Sequence, residues 1–152
     1  MKRLRKYLAL PPAERAIVLH SLLLLPAVAV LLRLRGMERT SAWLARFGAS
    51  AAGDASTLAP REIAALVGAA AGLLRSRCLP RSLVLRHFLR DRAASAQIRL
   101  GVAKRADGSL SAHAWVEFDG SPLNDGPDVY ERYAALPALA GRSSRRLKTH
   151  SP

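Results

Sequence analysis

The 152-residue chain is long enough to bury the core of one ordinary domain, and because half of its residues are hydrophobic, wholesale disorder is excluded. The formal net charge of +13 is suited to binding an acidic protein, an anionic membrane surface or nucleic acid. Aromatic residues make up only 5% of the chain, and no recognition-helix or zinc-finger motif occurs. We therefore expect no nucleic-acid partner. A single cysteine excludes an internal disulfide, and the composition favours the reducing cytoplasm and predicts neither a metal nor another cofactor.

Residues 1–50 predict an N-terminal helical region. A helix begins near Pro11 and Pro12, and residues 16–32 are almost wholly apolar. A secretory signal or a short membrane span would contain a similar apolar stretch, but this one passes directly into Arg33. We therefore favour a helix pair that packs in protein or faces a partner, over membrane contact of residues 16–32 and over a cleaved signal.

A small, polar linker separates this region from a core domain, predicted over residues 58–140, and a basic flexible tail is predicted over residues 141–152. Within the core, apolar spacing at the helical period predicts two helices, and a later change to period two predicts a β-hairpin and a short third strand. The predicted elements are, in chain order, helices Pro60–Arg75 and Cys78–Arg92 and strands 97–104, 110–118 and 123–125.

Cys78 lies at the predicted N-terminus of the second core helix. Pro80 follows two residues later, and its fixed φ suits the first turn of a helix. Unpaired backbone N–H groups and the positive end of the helix dipole favour a thiolate at this point, and Arg77 and Arg81 add positive charge. Cys78 is therefore a candidate nucleophile, although a free cysteine is also often a small buried hydrophobe.

A nucleophilic cysteine needs a base, and the base needs a group that orients it. His113 is the predicted base, because two alanines flank it and leave its face of the second hairpin strand open. Glu117 shares that face, and we interpret it as structural rather than substrate-facing. A three-residue loop after this strand would bring Asp125 to the same face as the orienting group, whereas a two-residue loop would bring Asp128 there. We expect Asp125, with Asp128 as the alternative.

Four segments together resemble a known family over residues 60–133. They are Cys78–Leu83, Ile98–Val102, Ala112–Glu117 and Asp119–Asp125. The chain resembles the transglutaminase-like leader peptidases of lasso-peptide biosynthesis. The resemblance implies an α+β fold, with N-terminal helices followed by a papain-like or transglutaminase-like core. In such a core the nucleophile stands at a helix N-terminus packed on a small antiparallel sheet. The resemblance also implies that Cys78 is the nucleophile, His113 the base and acid, and Asp125 the orienting residue.

The same resemblance implies a function and its partners. Family members are cysteine peptidases that remove the leader from a ribosomally made precursor peptide, without a cofactor, before a lasso cyclase closes the ring. Because no leader-binding domain is apparent before residue 60, the chain resembles the stand-alone form, which acts with a small separate leader-binding protein. Two alternatives stay open. One is an acyltransferase that uses the same three residues, and the other is a basic binding protein without enzymatic activity.

Overall fold

The computed structural model describes residues 9–46 and 57–136, and these form helices and one antiparallel sheet. The helices are α1 (Pro12–Arg46), α2 (Pro60–Leu73), α3 (Cys78–Phe88) and the single turn α4 (Val129–Arg132), with a 3-10 turn at Arg90–Arg92. The strands are β1 (Ala96–Lys104), β2 (Leu110–Phe118), β3 (Ser121–Pro122) and β4 (Ala134–Ala135). The α+β class is therefore confirmed. Almost all of the predicted linker and the whole of the predicted basic tail lie outside the described residues, and the domain bounds stay predictions.

Helix α1 consists of two helical segments that meet at Gly36. The backbone of Gly36 has φ 73° and ψ 179°, a conformation that glycine adopts at little cost. The Thr40 hydroxyl donates to the Gly36 carbonyl at 2.7 Å and so occupies an acceptor at the break. The predicted pair of N-terminal helices is therefore present, and a kink at Gly36 joins the two helices.

The hydrophobic core lies between α1, α2, α3 and one face of the sheet. Fully or almost fully buried members come from every one of these elements: Ile17, Leu25 and Val28 from α1, Ile63 and Val67 from α2, Val84 and Leu85 from α3, and Ala96 and Val116 from the sheet. The N-terminal helix thus shares one core with the part of the chain that carries Cys78.

Helix α1 also satisfies the length and hydropathy of a membrane span. Its most apolar 18-residue window has a mean hydropathy of 2.3, and 28% of that window is buried. Core helices and signal sequences meet the same criteria.

Strands β1 and β2 form the predicted hairpin, with pairing from Ala96 opposite Phe118 to Lys104 opposite Leu110. The sheet order is β3-β2-β1-β4, and every neighbouring pair is antiparallel. Val116 of β2 belongs to the helical core. Because side chains alternate along a strand, the odd-numbered residues of β2, which include His113, project to the other face.

Candidate active site

Helix α3 begins at Cys78, as the sequence predicts, with Arg77 as its N-cap and Pro80 in its first turn. The cysteine side chain is partly buried. It lines a groove of about 670 Å³ that lies between α1 and the turn after α2, and Ala112 of β2 lines the same groove. Helix α3 ends at Phe88, short of the predicted Arg92, because the chain tightens there into a 3-10 turn.

A hydrogen-bonded bridge holds α3 against β2. Ser82 lies one helical turn after Cys78, on the same face of the helix. Its buried hydroxyl donates to the Ala114 carbonyl at 3.1 Å and accepts from the Asn124 side-chain amide at 3.2 Å. The oxygen of that amide accepts in turn from the Val116 N–H at 2.7 Å. The bridge therefore fixes the helix that carries Cys78 against the strand that carries His113.

Arg81 belongs to the same bridge. Its guanidinium donates to the Asn124 carbonyl at 2.5 Å, and its Nε is buried without a hydrogen-bond partner. The sequence predicts that Arg81 adds positive charge beside Cys78. The structure shows in addition that Arg81 holds the chain just before Asp125, and that Arg77 is the exposed arginine at the N-terminus of the helix.

His113 and Asp125 are in direct contact, since Nε2 of the imidazole lies 2.5 Å from Oδ2 of the carboxylate. Tyr133 and Trp115 both lie near the imidazole with almost parallel rings, at centroid distances of 4.9 and 6.1 Å. Trp115 is fully buried. These rings restrict the imidazole, and Nδ1 remains as the ring nitrogen not engaged by Asp125.

The second oxygen of Asp125 is also fully engaged. Oδ1 accepts from the Gly126 N–H at 2.8 Å and from the Arg132 guanidinium at 2.7 Å. Partial burial alone would raise the pKa of Asp125, but the hydrogen bonds from His113, Gly126 and Arg132 outweigh burial and hold that pKa below its ordinary value. An ionised carboxylate can only accept hydrogen bonds. A neutral His113 therefore carries its proton on Nε2 and presents a lone pair at Nδ1, as a general base requires.

The loop after β2 has two residues, so the predicted three-residue loop is wrong. Phe118 pairs with Ser121, and Asp119 and Gly120 between them both have positive φ, as in the two-residue turns that match the twist of a hairpin. If the strand alternation continued, a two-residue loop would bring Asp128 to the face of His113. The observed partner is nevertheless Asp125.

The loop length does not decide the partner of His113, because the third strand does not continue as far as Asp125. Strand β3 ends at Pro122, so the predicted strand at 123–125 does not form. Past that point, the side chain of Asn124 takes the Val116 N–H that a strand backbone would have taken. The alternation of a strand therefore does not reach Asp125. Asp128, which is 57% exposed, pairs with Nε of Arg132 at 2.8 Å instead.

Cys78 and His113 lie on neighbouring elements without a direct hydrogen bond among the described residues. Ala112, next to His113, lines the groove of Cys78, and Ser82 one turn further along α3 bonds to Ala114 on the other side of His113. Catalytic hydrogen bonds are often long without substrate and tighten when it binds. The structure thus brings together His113 and Asp125 and places Cys78 at the adjoining groove.

Glu117 forms a cross-link on the same face of β2. Its carboxylate accepts from Arg99 of β1 at 2.9 and 3.2 Å and from the Tyr130 hydroxyl at 2.8 Å. The hydrogen bond from Arg99 is the largest cause that lowers the pKa of Glu117. These contacts support the structural interpretation of this residue.

Four residues that the sequence argument did not assign to the site contribute to its geometry: Ser82, Asn124, Arg132 and Tyr133. Only Ser82 had a signal in the sequence, since it lies one helical turn from Cys78. Within residues 9–46 and 57–136, no group of three or more His, Cys, Asp or Glu side chains is arranged to hold a metal ion.

Comparison with known proteins gives one match. The model of the transglutaminase-like superfamily matches residues 14–138, which include nearly all of α1 as well as the three candidate residues. No curated protein and no solved structure matches the chain significantly. Members of this superfamily are generally enzymes that resemble cysteine proteases. The match covers most of the chain, and the chain belongs to the transglutaminase-like superfamily.

Proposed function

We propose that the chain is a cysteine peptidase in which Cys78, His113 and Asp125 act together. The observation that carries the proposal is the bond between His113 Nε2 and Asp125 Oδ2, on the strand that adjoins the groove of Cys78. A cysteine at a helix N-terminus, a histidine beside it and a carboxylate behind the histidine are the three parts that covalent hydrolysis needs. Membership of the superfamily supports the same chemistry.

In this mechanism, the Cys78 sulfur attacks the carbonyl carbon of the scissile peptide bond after His113 Nδ1 has taken the thiol proton. Backbone N–H groups at the start of α3, that of Cys78 among them, stabilise the oxyanion. The protonated imidazole gives its proton to the departing amine, and the bond breaks to leave a thioester on Cys78. Water, deprotonated by His113, then hydrolyses the thioester. Asp125 holds the imidazole in place and stabilises its charged form.

The substrate class follows from the resemblance of the four segments around the site. We propose that the bond cleaved joins the leader to the core of a lasso-peptide precursor, in the cytoplasm. A small separate protein binds the leader and delivers it, and a lasso cyclase acts on the released core. Arg33, Arg75 and Arg77 near the groove would favour an acidic segment in the delivered peptide.

Mass spectrometry of a lasso precursor incubated with the protein and a leader-binding partner tests the proposal. We expect cleavage at the leader–core boundary, and a loss of at least about 10³-fold in Cys78→Ala. Asp125→Ala should lose about 10²–10⁴-fold, while the matched variant Asp128→Ala should stay near the wild-type rate. Cleavage that persists in Cys78→Ala would rule out the peptidase.

The masses of the products separate the alternatives. Hydrolysis adds one water across the bond, whereas an acyltransferase adds an amine to the acyl part. Salt-sensitive binding to DNA that survives the loss of Cys78, together with no change in the precursor, would support a basic binding protein without enzymatic activity.

A further inference from the structure

The groove beside Cys78 has features that the three proposed catalytic residues do not use. Helix α1 forms one wall and the turn after α2 forms the other, and Val30 and Leu74 on these walls are 54% and 44% exposed. Two exposed aliphatic side chains that line the same groove offer an apolar contact to an extended peptide. Val30 and Arg33 line the groove from α1, and Leu74, Arg75 and Arg77 line it from the turn and the N-cap of α3.

All of the charged side chains that line the groove are positive. Arg33, Arg75 and Arg77 line it, and no aspartate or glutamate does. Within the described part of the chain, none of these three arginines forms an ion pair, whereas Arg99 and Arg132 both bond to carboxylates. Guanidinium groups without an acidic partner beside an apolar cleft are suited to carboxylates of a ligand.

Arg75 occupies a backbone position that favours glycine. Its φ is +49°, in the left-handed region, and it ends α2 in a turn closed by the Ser76 N–H bonding to the Ala71 carbonyl at 2.9 Å. Helices commonly end with glycine at such a position, because a β-carbon there costs free energy. An exposed arginine therefore stands where the fold alone would prefer glycine, and strained positions of this kind cluster at functional sites.

The position of His113 indicates which side of the scissile bond lies in the groove. His113 must reach the departing amine, so the amine side of the substrate lies toward β2. Only Ala112 of β2 lines the groove, and its walls belong to α1 and the turn after α2. The groove therefore lies on the acyl side of the scissile bond.

We propose that the groove is the acyl-side subsite of the enzyme, and that it takes an extended peptide segment with an aliphatic side chain flanked by aspartate or glutamate. The aliphatic side chain packs between Val30 and Leu74, and the carboxylates bond to Arg33, Arg75 and Arg77. The inference rests on the proposed function, because it assigns the groove to the acyl part that Cys78 would hold.

Binding to the Cys78→Ala protein tests the subsite without catalysis. Two fluorescein-labelled hexapeptides serve as probes, one with a central leucine flanked by glutamates and one with glutamines in their place. Fluorescence anisotropy at low salt should show the glutamate peptide bound about 10-fold or more tightly than the glutamine peptide, with the difference shrinking as salt rises.

The variant Arg75→Gly separates binding from folding. Glycine relieves the strained backbone, so this variant should melt at or above the temperature of its parent and yet bind the glutamate peptide about 5–10-fold more weakly. Arg75→Lys keeps the charge and should retain most of the binding. Arg61→Gln is the matched control, since Arg61 lies about 18 Å along α2 from its C-terminal end, and it should bind like the parent.

Equal affinity for the two peptides, or an equal loss in Arg61→Gln and Arg75→Gly, would overturn the subsite. Failure of the subsite and failure of the peptidase give different results. Discrimination between the peptides without cleavage of any precursor by the wild-type protein rejects the peptidase. Cleavage without discrimination rejects the acidic subsite alone.

Discussion

Gly101→Ala probes the packing that holds His113 in place. Gly101 lies opposite His113 in the hairpin, under the rings of Trp115 and Tyr133. A β-carbon at this position would come within 2.8 Å of the Tyr133 β-carbon and 3.0 Å of two ring carbons of Trp115. Since the first of these atoms is attached directly to the backbone, rotation of a side chain cannot relieve the contact.

The substitution should lower the free energy of unfolding, because it overpacks a filled site. Adding a methyl group to a filled site costs about 1–3 kcal/mol, and the lower entropy of the unfolded alanine chain offsets about 0.4–1 kcal/mol of that. We expect a net loss of about 1–2 kcal/mol, or roughly 2–8 °C in Tm for a domain of this size. Because Tyr133 stacks on His113 at 4.9 Å, its displacement should also move the imidazole and lower kcat by up to about 10²-fold.

Urea unfolding followed by circular dichroism, together with the precursor cleavage assay, measures both effects. Gly72→Ala is the matched control, since nothing lies within 4 Å of a β-carbon built there. It sits in the last turn of α2 and should be neutral or stabilising by up to about 1 kcal/mol. A Gly101→Ala protein as stable and as active as Gly72→Ala would refute this account of the packing around His113.

Three further predictions concern hydrogen bonds around the site. Glu117→Gln removes the ion pair with Arg99. Because the folded-state pKa of Glu117 lies below its ordinary value, the pair stabilises the fold above that ordinary value, and its contribution is lost as the pH falls through the folded-state pKa. Chemical unfolding should therefore show a loss of about 1–2 kcal/mol at pH 7 that becomes smaller at acid pH. Arg132→Gln removes a cationic donor and so raises the pKa of Asp125; kcat/KM should fall about 5–10-fold, and the acid limb of its pH profile should move to higher pH. Ser82→Ala leaves the buried Ala114 carbonyl and the partly buried Asn124 amide without this partner, and it should lower the free energy of unfolding in urea by about 1–3 kcal/mol.

Each of these three has an outcome that contradicts it. For Glu117→Gln it is a stability loss that is the same at pH 3 and pH 7. For Arg132→Gln it is a pH profile of kcat/KM whose acid limb does not move. Asp128→Asn is the control, because it removes only the other carboxylate that pairs with the Arg132 guanidinium. For Ser82→Ala it is wild-type stability, which would show that the bridge between α3 and β2 contributes nothing.

Local patterns in the sequence predict much of the fold. The predicted strands 97–104 and 110–118 agree with the observed bounds to within one residue, because period-two alternation and the Asp107-Gly108 turn both indicate the same hairpin. The start of α3 at Cys78 was predicted as well, since a proline two residues later is compatible only with the first turn of a helix.

The partner of His113 does not follow from such local patterns. Asp125 was predicted as the partner from a loop length that is wrong, and the true loop length would have pointed to Asp128. The outcome depends on the Asn124 side chain, which replaces a backbone partner of β2 and ends the strand. Bonds of this kind between side chain and backbone follow no fixed spacing in the sequence. The contact of Arg132 with Asp125 joins two side chains seven residues apart, and no local pattern in the sequence predicts it either.

The central claim, that His113 and Asp125 activate Cys78, can be tested without a substrate. Cys78 is the single cysteine of the chain, so the rate of its alkylation by iodoacetamide can be followed by intact-protein mass spectrometry. A cysteine of ordinary pKa is only about 1% thiolate at pH 6.5. We predict that at this pH the wild-type protein and Asp128→Asn react at similar rates, and that His113→Ala reacts at least about tenfold more slowly, with Asp125→Asn between them. Equal alkylation rates in all four proteins would contradict the claim.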